Sequence, residues 1–180
     1  MIKIGILGDI GSGKSFVAKN FGYPVFNADK EVGKLYKKDR KTFIKLKKAL
    51  PKHIHLFPVN KNEICEAILA NKANLRKIVT IVHLEIRKKM NLFLKKNMNQ
   101  KIVILDIPLL LENKINKKND ILVFVQSKKT DILKRLKKRK NFSLKLHKKF
   151  KNIQLSLDYK KKNLYLLLKI ILLINLLISI

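Results

Sequence analysis

The chain is poor in cysteine and has no tryptophan among its 180 residues. With Cys65 as its single cysteine it cannot form an intrachain disulfide, which suits a reducing compartment. The first predicted strand begins at Ile2, so we expect no secretory signal or transit peptide and a cytoplasmic location. The length is typical of one domain.

Arginine and acidic residues are also scarce. Only five of the 42 Lys and Arg residues are arginine, and 12 Asp and Glu leave a net charge of +30. Lysine is spread evenly, and aromatic residues are scattered, which favours a solvated surface over a specific nucleic-acid site. The few arginines become candidates for bidentate phosphate contacts, which lysine cannot make. They are Arg40, Arg76, Arg87, Arg135 and Arg139.

A glycine-rich segment near the start carries the strongest chemical signal. It fits the pattern G-x-x-x-x-G-K-[ST], in which backbone N–H groups surround phosphate oxygens. Lys14 is expected to reach the β- and γ-phosphates, and the Ser15 hydroxyl is expected to bind Mg²⁺. A β-branched run precedes the segment and a short helical pattern follows it, as this phosphate loop requires. The segment consists of Gly8, Asp9, Ile10, Gly11, Ser12, Gly13, Lys14 and Ser15.

Further strands are predicted at 23–27, 101–107 and 121–125. Helical patterns between them favour parallel strands joined by right-handed crossovers, and therefore an α/β fold. Ligands bind beyond the carboxyl ends of such strands. Asp29 follows the second strand and Asp106 lies at the carboxyl end of the third, so both are expected near the phosphate loop.

The remaining segments read mainly as helices. The region of about 33–98 lacks strand alternation and is predicted to be a helical insertion, with a helical pattern over 30–50. Within it, His83 and Arg87 lie four residues apart on one helix face. A later helix over 129–140 presents Arg135 and Arg139 in the same way. We expect one domain over 1–162.

Residues 163–180 are almost entirely Leu and Ile. Three interpretations stay open: a frame-altered or degenerate end, a divergent strand and helix, or a membrane anchor. The run is short for a membrane span and Lys169 interrupts it, so no membrane association is expected.

In this order the motifs resemble those of the dephospho-coenzyme A kinase family. The resemblance covers about residues 1–157. It is carried by the phosphate loop, by Ala28-Asp29, by His83 and Arg87 in a His-x-x-x-Arg box, by Asp106-Ile107-Pro108-Leu109-Leu110-Leu111-Glu112, by Arg135 and Arg139, and by Gln154. Asp9 and Leu84 depart from the family's glycine and proline.

The resemblance implies a three-layer phosphate-loop NTPase fold and transfer of the ATP γ-phosphoryl group to the ribose 3′-hydroxyl of dephospho-CoA. ATP and dephospho-CoA are the implied partners and Mg²⁺ the implied cofactor; the oligomeric state stays open. Asp29 is the candidate general base, and Lys14 and Arg139 are candidate catalytic residues. The resemblance also implies a lid at about 135–150, and Arg135 and Arg139 are expected to bind ATP. The acceptor is expected to contact Asp29, His83, Arg87, Asp106, Pro108 and Leu109, with Asp106 a second candidate for Mg²⁺.

Two other functions stay open on the sequence. One is a kinase for another small acceptor, such as a nucleoside monophosphate. The other is a basic polyanion-binding protein that keeps the phosphate loop only as a scaffold.

Overall fold

The computed structural model describes residues 1–138 and 143–162, and the backbone of 166–169. The chain divides into two compact units. The sheet unit comprises Met1–Asn27 with the described residues from Asn97 onward, and the helical unit comprises Ala28–Lys96.

The sheet unit is built on a five-stranded sheet in the order β2-β3-β1-β4-β5. Every neighbouring pair of strands is parallel. The predicted α/β fold with a parallel sheet is therefore confirmed. The strands are β1 (Ile2–Gly8), β2 (Val25–Asn27), β3 (Ile102–Asp106), β4 (Ile121–Gln126) and β5 (Leu166–Lys169).

Eight helices accompany these strands in the described parts of the chain. They are α1 (Lys14–Asn20), α2 (Ala28–Lys38), α3 (Arg40–Ala49), α4 (Lys61–Ala70), α5 (Lys72–Lys96), α6 (Lys129–Lys137), α7 (Leu144–Asn152) and α8 (Leu157–Lys162). In the sheet unit, Val17 and Ala18 of α1 pack with Ile6, Ile104 and Val125 of the central strands in one buried cluster. This packing fixes α1, and with it the phosphate loop, at the carboxyl edge of β1.

The helical unit contains α2 to α5 over Ala28–Lys96, where a helical insertion of about 33–98 was predicted. The helical pattern over 30–50 does not form one helix, because the chain breaks at Asp39. The Asp39 side chain accepts a hydrogen bond from Thr42 N at 2.8 Å and caps α3. An ion pair of 2.7 Å between Lys45 and Glu85 joins α3 to α5.

The last described strand lies in the Leu- and Ile-rich segment. β5 pairs with β4, with Leu166 opposite Val123 and Lys169 opposite Gln126. Over these four residues the structure agrees with the interpretation of a divergent fifth strand. The other residues of 163–180 lie outside the described residues. Among the helices that are described, none has the length and apolar character that crossing a bilayer requires.

Candidate active site

The phosphate loop joins β1 to α1 through glycines that no other residue could replace without strain. Gly8 has φ +143°, and a Cβ atom there would lie 2.5 Å from the Val125 carbonyl oxygen. Gly11 has φ +85°, and its Cβ would lie 3.0 Å from Leu136 Cγ. The loop therefore lies in close contact with β4 and α6, and a side chain larger than that of glycine would not fit at these two positions.

Lys14 begins α1, and its side chain turns back over the loop. Its Nζ donates to Asp9 O at 2.7 Å and to Gly8 O at 3.2 Å. Asp9 also accepts a hydrogen bond from Ile10 N through its carboxylate at 2.7 Å. The ammonium group is thus held at the phosphate-binding loop itself, within reach of any anion that the loop binds.

Two side chains from the β4–α6 region brace the other side of the loop. Ser127 Oγ donates to Ser12 O at 2.8 Å. Arg135 Nη1 lies 3.4 Å from Gly11 O, 3.3 Å from Ser12 O and 3.2 Å from Ser127 Oγ. Arg135, predicted to contact phosphate, therefore contacts loop carbonyl oxygens in this structure. Ser127 was not predicted, because no motif marks it.

A polar cluster lies where β2 and β3 end beside the loop. Asn27 and Asp106 are paired in the parallel register of the two strands. Asn27 Nδ2 donates to Asp106 Oδ2 at 2.5 Å and to Ser15 Oγ at 3.4 Å. Asp106 is almost fully buried, at 3% exposure. Asn27 therefore connects the two groups that the sequence assigns to Mg²⁺, although no motif marked it as functional.

The Ser15–Asn27–Asp106 cluster suits a magnesium ion. Mg²⁺ prefers oxygen ligands and in kinases is held by one or two protein groups together with phosphate oxygens. Ser15 supplies a hydroxyl and Asp106 a buried carboxylate at the same sheet edge. Within 1–138 and 143–162, no three His, Cys, Asp or Glu side chains cluster as metal ligands.

A cavity of about 560 Å³ opens beside the loop in the sheet unit. Its wall includes Asp9 and Ser12 from the loop and the residues that follow β4. Helices α6, α7 and α8 supply the rest of the wall, including His147, Lys151 and Lys161. Helix α6 contributes Lys129 and three apolar residues to the wall, while α7 and α8 contribute Lys151, Lys161 and the apolar Leu157.

Three predicted site residues belong to the helical unit. Asp29 is an exposed residue of the first turn of α2, which follows β2 directly in the chain. His83 and Arg87 lie one turn apart in α5, where His83 is half-buried and Arg87 exposed. Burial lowers the pKa of His83 below its ordinary 6.5, and the positive charge of Arg87 lowers this pKa further. His83 is therefore neutral at neutral pH.

This lowered pKa predicts a loss of stability in acid. Between the folded pKa of His83 and 6.5 the unfolded chain binds more protons, so the free energy of unfolding falls as pH is lowered through that interval. Between about pH 7.5 and about pH 5, the unfolding midpoint of the variant His83→Gln should fall less than that of the parent chain. His55→Gln, at an exposed histidine, is the control and should behave like the parent. An equal decrease in the unfolding midpoint of His83→Gln and the parent chain on acidification would contradict the prediction.

The other predicted residues follow β3 or precede α7. Pro108 and Leu109 lie in the turn after β3, and Leu109 O accepts hydrogen bonds from Asn113 N at 3.1 Å and Asn113 Nδ2 at 2.9 Å. Arg139 lies outside the described residues, as do residues 140–142 of the predicted lid.

Known proteins are similar to this chain in sequence and in fold. A dephospho-CoA kinase from Wolbachia sp. subsp. Brugia malayi is 33% identical over 129 residues, which are 69% of this chain and 66% of the relative. The match thus spans slightly less than two thirds of that relative's length. A crystal structure from Thermus thermophilus superposes with a TM-score of 0.73 at 24% identity, covering 93% of this chain and 87% of the other. The dephospho-CoA kinase from Campylobacter jejuni gives a TM-score of 0.61 at 20% identity, with the same coverage.

These two structures show that the fold is shared. The family match covers more of the sequence than the 129 residues aligned with the Wolbachia relative. The model of the dephospho-CoA kinase family matches residues 2–169, which include the phosphate loop, the Ser15–Asn27–Asp106 cluster and β5. The chain therefore belongs to the dephospho-CoA kinase family.

Proposed function

We propose that this protein transfers the γ-phosphoryl group of ATP to the ribose 3′-hydroxyl of dephospho-CoA and so forms coenzyme A. The observation that carries the proposal is the family match over residues 2–169. Phosphoryl transfer requires positioning and charge neutralisation more than covalent chemistry, and the residues of the sheet edge supply both. A cytoplasmic location and the absence of a specific nucleic-acid partner are part of the proposal.

The loop and its neighbours hold the phosphates of the donor. The amides of Gly8 to Ser15 surround the phosphate oxygens, and Lys14 moves from the loop carbonyls to the β- and γ-phosphates. Ser15 and Asp106 would hold Mg²⁺, which would neutralise charge on the phosphates of ATP. The nucleoside of ATP enters the 560 Å³ cavity, where the apolar residues of α6 receive the base.

The acceptor is bound by residues that follow β2 and β3 and by α5. Asp29 accepts or orients the proton of the 3′-hydroxyl. Arg87 binds a phosphate of dephospho-CoA, and neutral His83 donates or accepts a hydrogen bond beside it. Pro108 and Leu109 line the acceptor side.

Two arginines serve the transferring group. Arg139 contacts the γ-phosphoryl group when the lid over about 135–150 closes and excludes water. Arg135 fixes the loop backbone through its contacts with Gly11 and Ser12, and so supports the phosphate site from the other side.

A phosphoryl-transfer assay tests the acceptor. The chain is incubated with ATP, Mg²⁺ and one of dephospho-CoA, AMP, CMP or adenosine, and ADP is measured. We expect turnover only with dephospho-CoA. Turnover with AMP or CMP would instead identify a nucleoside monophosphate kinase. Absence of turnover, together with polyanion binding that weakens steeply with salt, would identify a polyanion-binding protein.

Asn27 yields a separate prediction. The variant Asn27→Ala removes the hydrogen bonds to Ser15 and Asp106, so it should raise the Mg²⁺ concentration for half-maximal turnover about 10- to 100-fold. Binding of Mn²⁺ in the presence of ADP, followed by electron paramagnetic resonance, should weaken in parallel. Asn20→Ala, which removes an exposed amide bonded to Phe16 O on α1, is the matched control. An unchanged metal requirement in Asn27→Ala would remove Asn27 from the site.

A further inference from the structure

Lys160 is a buried lysine in a chain whose other lysines mostly face solvent. It lies in α8 with 1% of its surface exposed. Its Nζ is 2.8 Å from Glu112 Oε1, and the Glu112 side chain is 9% exposed. A buried charge is strongly unfavourable without a partner, so each of these two groups depends on the other.

Glu112 is the last residue of the Asp106–Glu112 motif, and the proposed mechanism gives it no role. The oxygen that pairs with Lys160 also accepts a hydrogen bond from Leu155 N at 2.9 Å. The other oxygen, Oε2, is buried and accepts no hydrogen bond from the described residues. The hydrogen bonds described for this carboxylate therefore all come from the segment 155–160, which is 43 or more residues away in sequence.

That segment forms part of the cavity wall beside the phosphate loop. Leu157 and Lys161 of α8 both line the cavity. Lys161 Nζ lies 5.9 Å from the centre of the Phe124 ring of β4, and β5 follows α8 and pairs with β4. Anything that fixes α8 therefore also fixes one side of the cavity.

We propose that Glu112 and Lys160 are positioning residues whose buried ion pair anchors α8 as a wall of the donor-nucleotide cavity. The proposal rests on the proposed function in one respect, that the cavity receives the nucleoside of ATP. The pair links the turn after β3 to the helix before β5, and so it maintains affinity for the donor without contacting it. None of the residues proposed to bind the acceptor belongs to α8, so we expect loss of the pair through Lys160 to affect the donor rather than the acceptor.

The variant Lys160→Met tests the pair, with Lys160→Arg as the conservative variant and Lys162→Met as the control. Lys162 is an exposed lysine of the same helix. Lys160→Met should weaken ATP binding about tenfold, the effect of losing one charge-assisted hydrogen bond. The KM for dephospho-CoA should stay unchanged. Lys160→Arg keeps the positive charge beside Glu112 and should retain the ATP affinity of the parent chain. Lys162→Met should also bind ATP as the parent does.

Two further variants separate positioning from general loss of structure. Glu112→Gln keeps an acceptor for Leu155 N but removes the charge, so it should weaken ATP binding as Lys160→Met does. The double variant Glu112→Leu with Lys160→Met removes both buried charges, and its unfolding midpoint should exceed that of Lys160→Met alone. If Lys160→Met does not fold, Glu112→Gln and the double variant provide the same readouts.

Unchanged ATP affinity in both single variants would overturn the proposal, as would an equal rise in the KM values for ATP and dephospho-CoA. ATP binding is measured by titration calorimetry without acceptor. A chain that binds ATP but does not phosphorylate dephospho-CoA would therefore contradict the proposed function and still test the ion pair.

Discussion

Lys14→Ala is expected to lower kcat for phosphoryl transfer about 100- to 1,000-fold, the usual effect of removing one fixed charge that stabilises a transition state. In the structure the ammonium group is held at the loop by Asp9 O and Gly8 O, so it need only turn towards the phosphates of ATP. The measurement is single-turnover ADP formation with saturating ATP and dephospho-CoA.

The control for Lys14→Ala is Lys19→Ala, an exposed lysine at the end of the same helix. It removes the same charge from α1 without touching the loop and should keep the parent kcat. The unfolding midpoints of both variants should lie close to that of the parent. A Lys14→Ala variant with more than about a tenth of parental kcat would show that the loop amides and Mg²⁺ suffice.

Asp29→Asn is expected to lower kcat about 100- to 10,000-fold while leaving ATP affinity unchanged. Asparagine has nearly the same shape as aspartate but cannot accept the hydroxyl proton. The measurement is single-turnover ADP formation with saturating ATP and dephospho-CoA, together with calorimetric titration of ATP.

Glu31→Gln is the matched control, because it removes a negative charge two residues further along α2. Glu31 forms ion pairs with Lys34 at 2.6 Å and with Lys89 at 3.9 Å, both inside the helical unit. The kcat of Glu31→Gln should equal that of the parent. If Asp29→Asn turned over as fast as Glu31→Gln, the base would have to be another group.

The sheet and its loop were predictable because their signals are local. A β-branched run, three glycines within the loop and the Lys14-Ser15 pair fix β1, the loop and the start of α1 within 15 residues. The break at Asp39 was also local, since an aspartate three residues before Thr42 can cap a helix. The helical pattern continues on both sides of Asp39, so this break was not predicted.

The remaining features depend on contacts between distant parts of the chain. Asn27 joins the site only through its register opposite Asp106, which no motif encodes. The pairing of Glu112 with Lys160 requires the turn after β3 to meet α8. Arg135 was predicted from its rarity, but its contact with the loop carbonyls follows from the packing of α6. The functional roles of Asp29, His83, Arg87 and Arg139 remain predictions.

The strand order also has a consequence for how the chain folds as it is synthesised. β1 is made before both of its neighbours, β3 and β4, and Ile2 pairs with Ile102. The first strand must therefore stay unpaired until about 100 further residues have left the ribosome. During that interval α2 to α5 can form from contacts close in sequence, which form faster than distant strand pairings. The helical unit is thus expected to be the first part of the protein to fold.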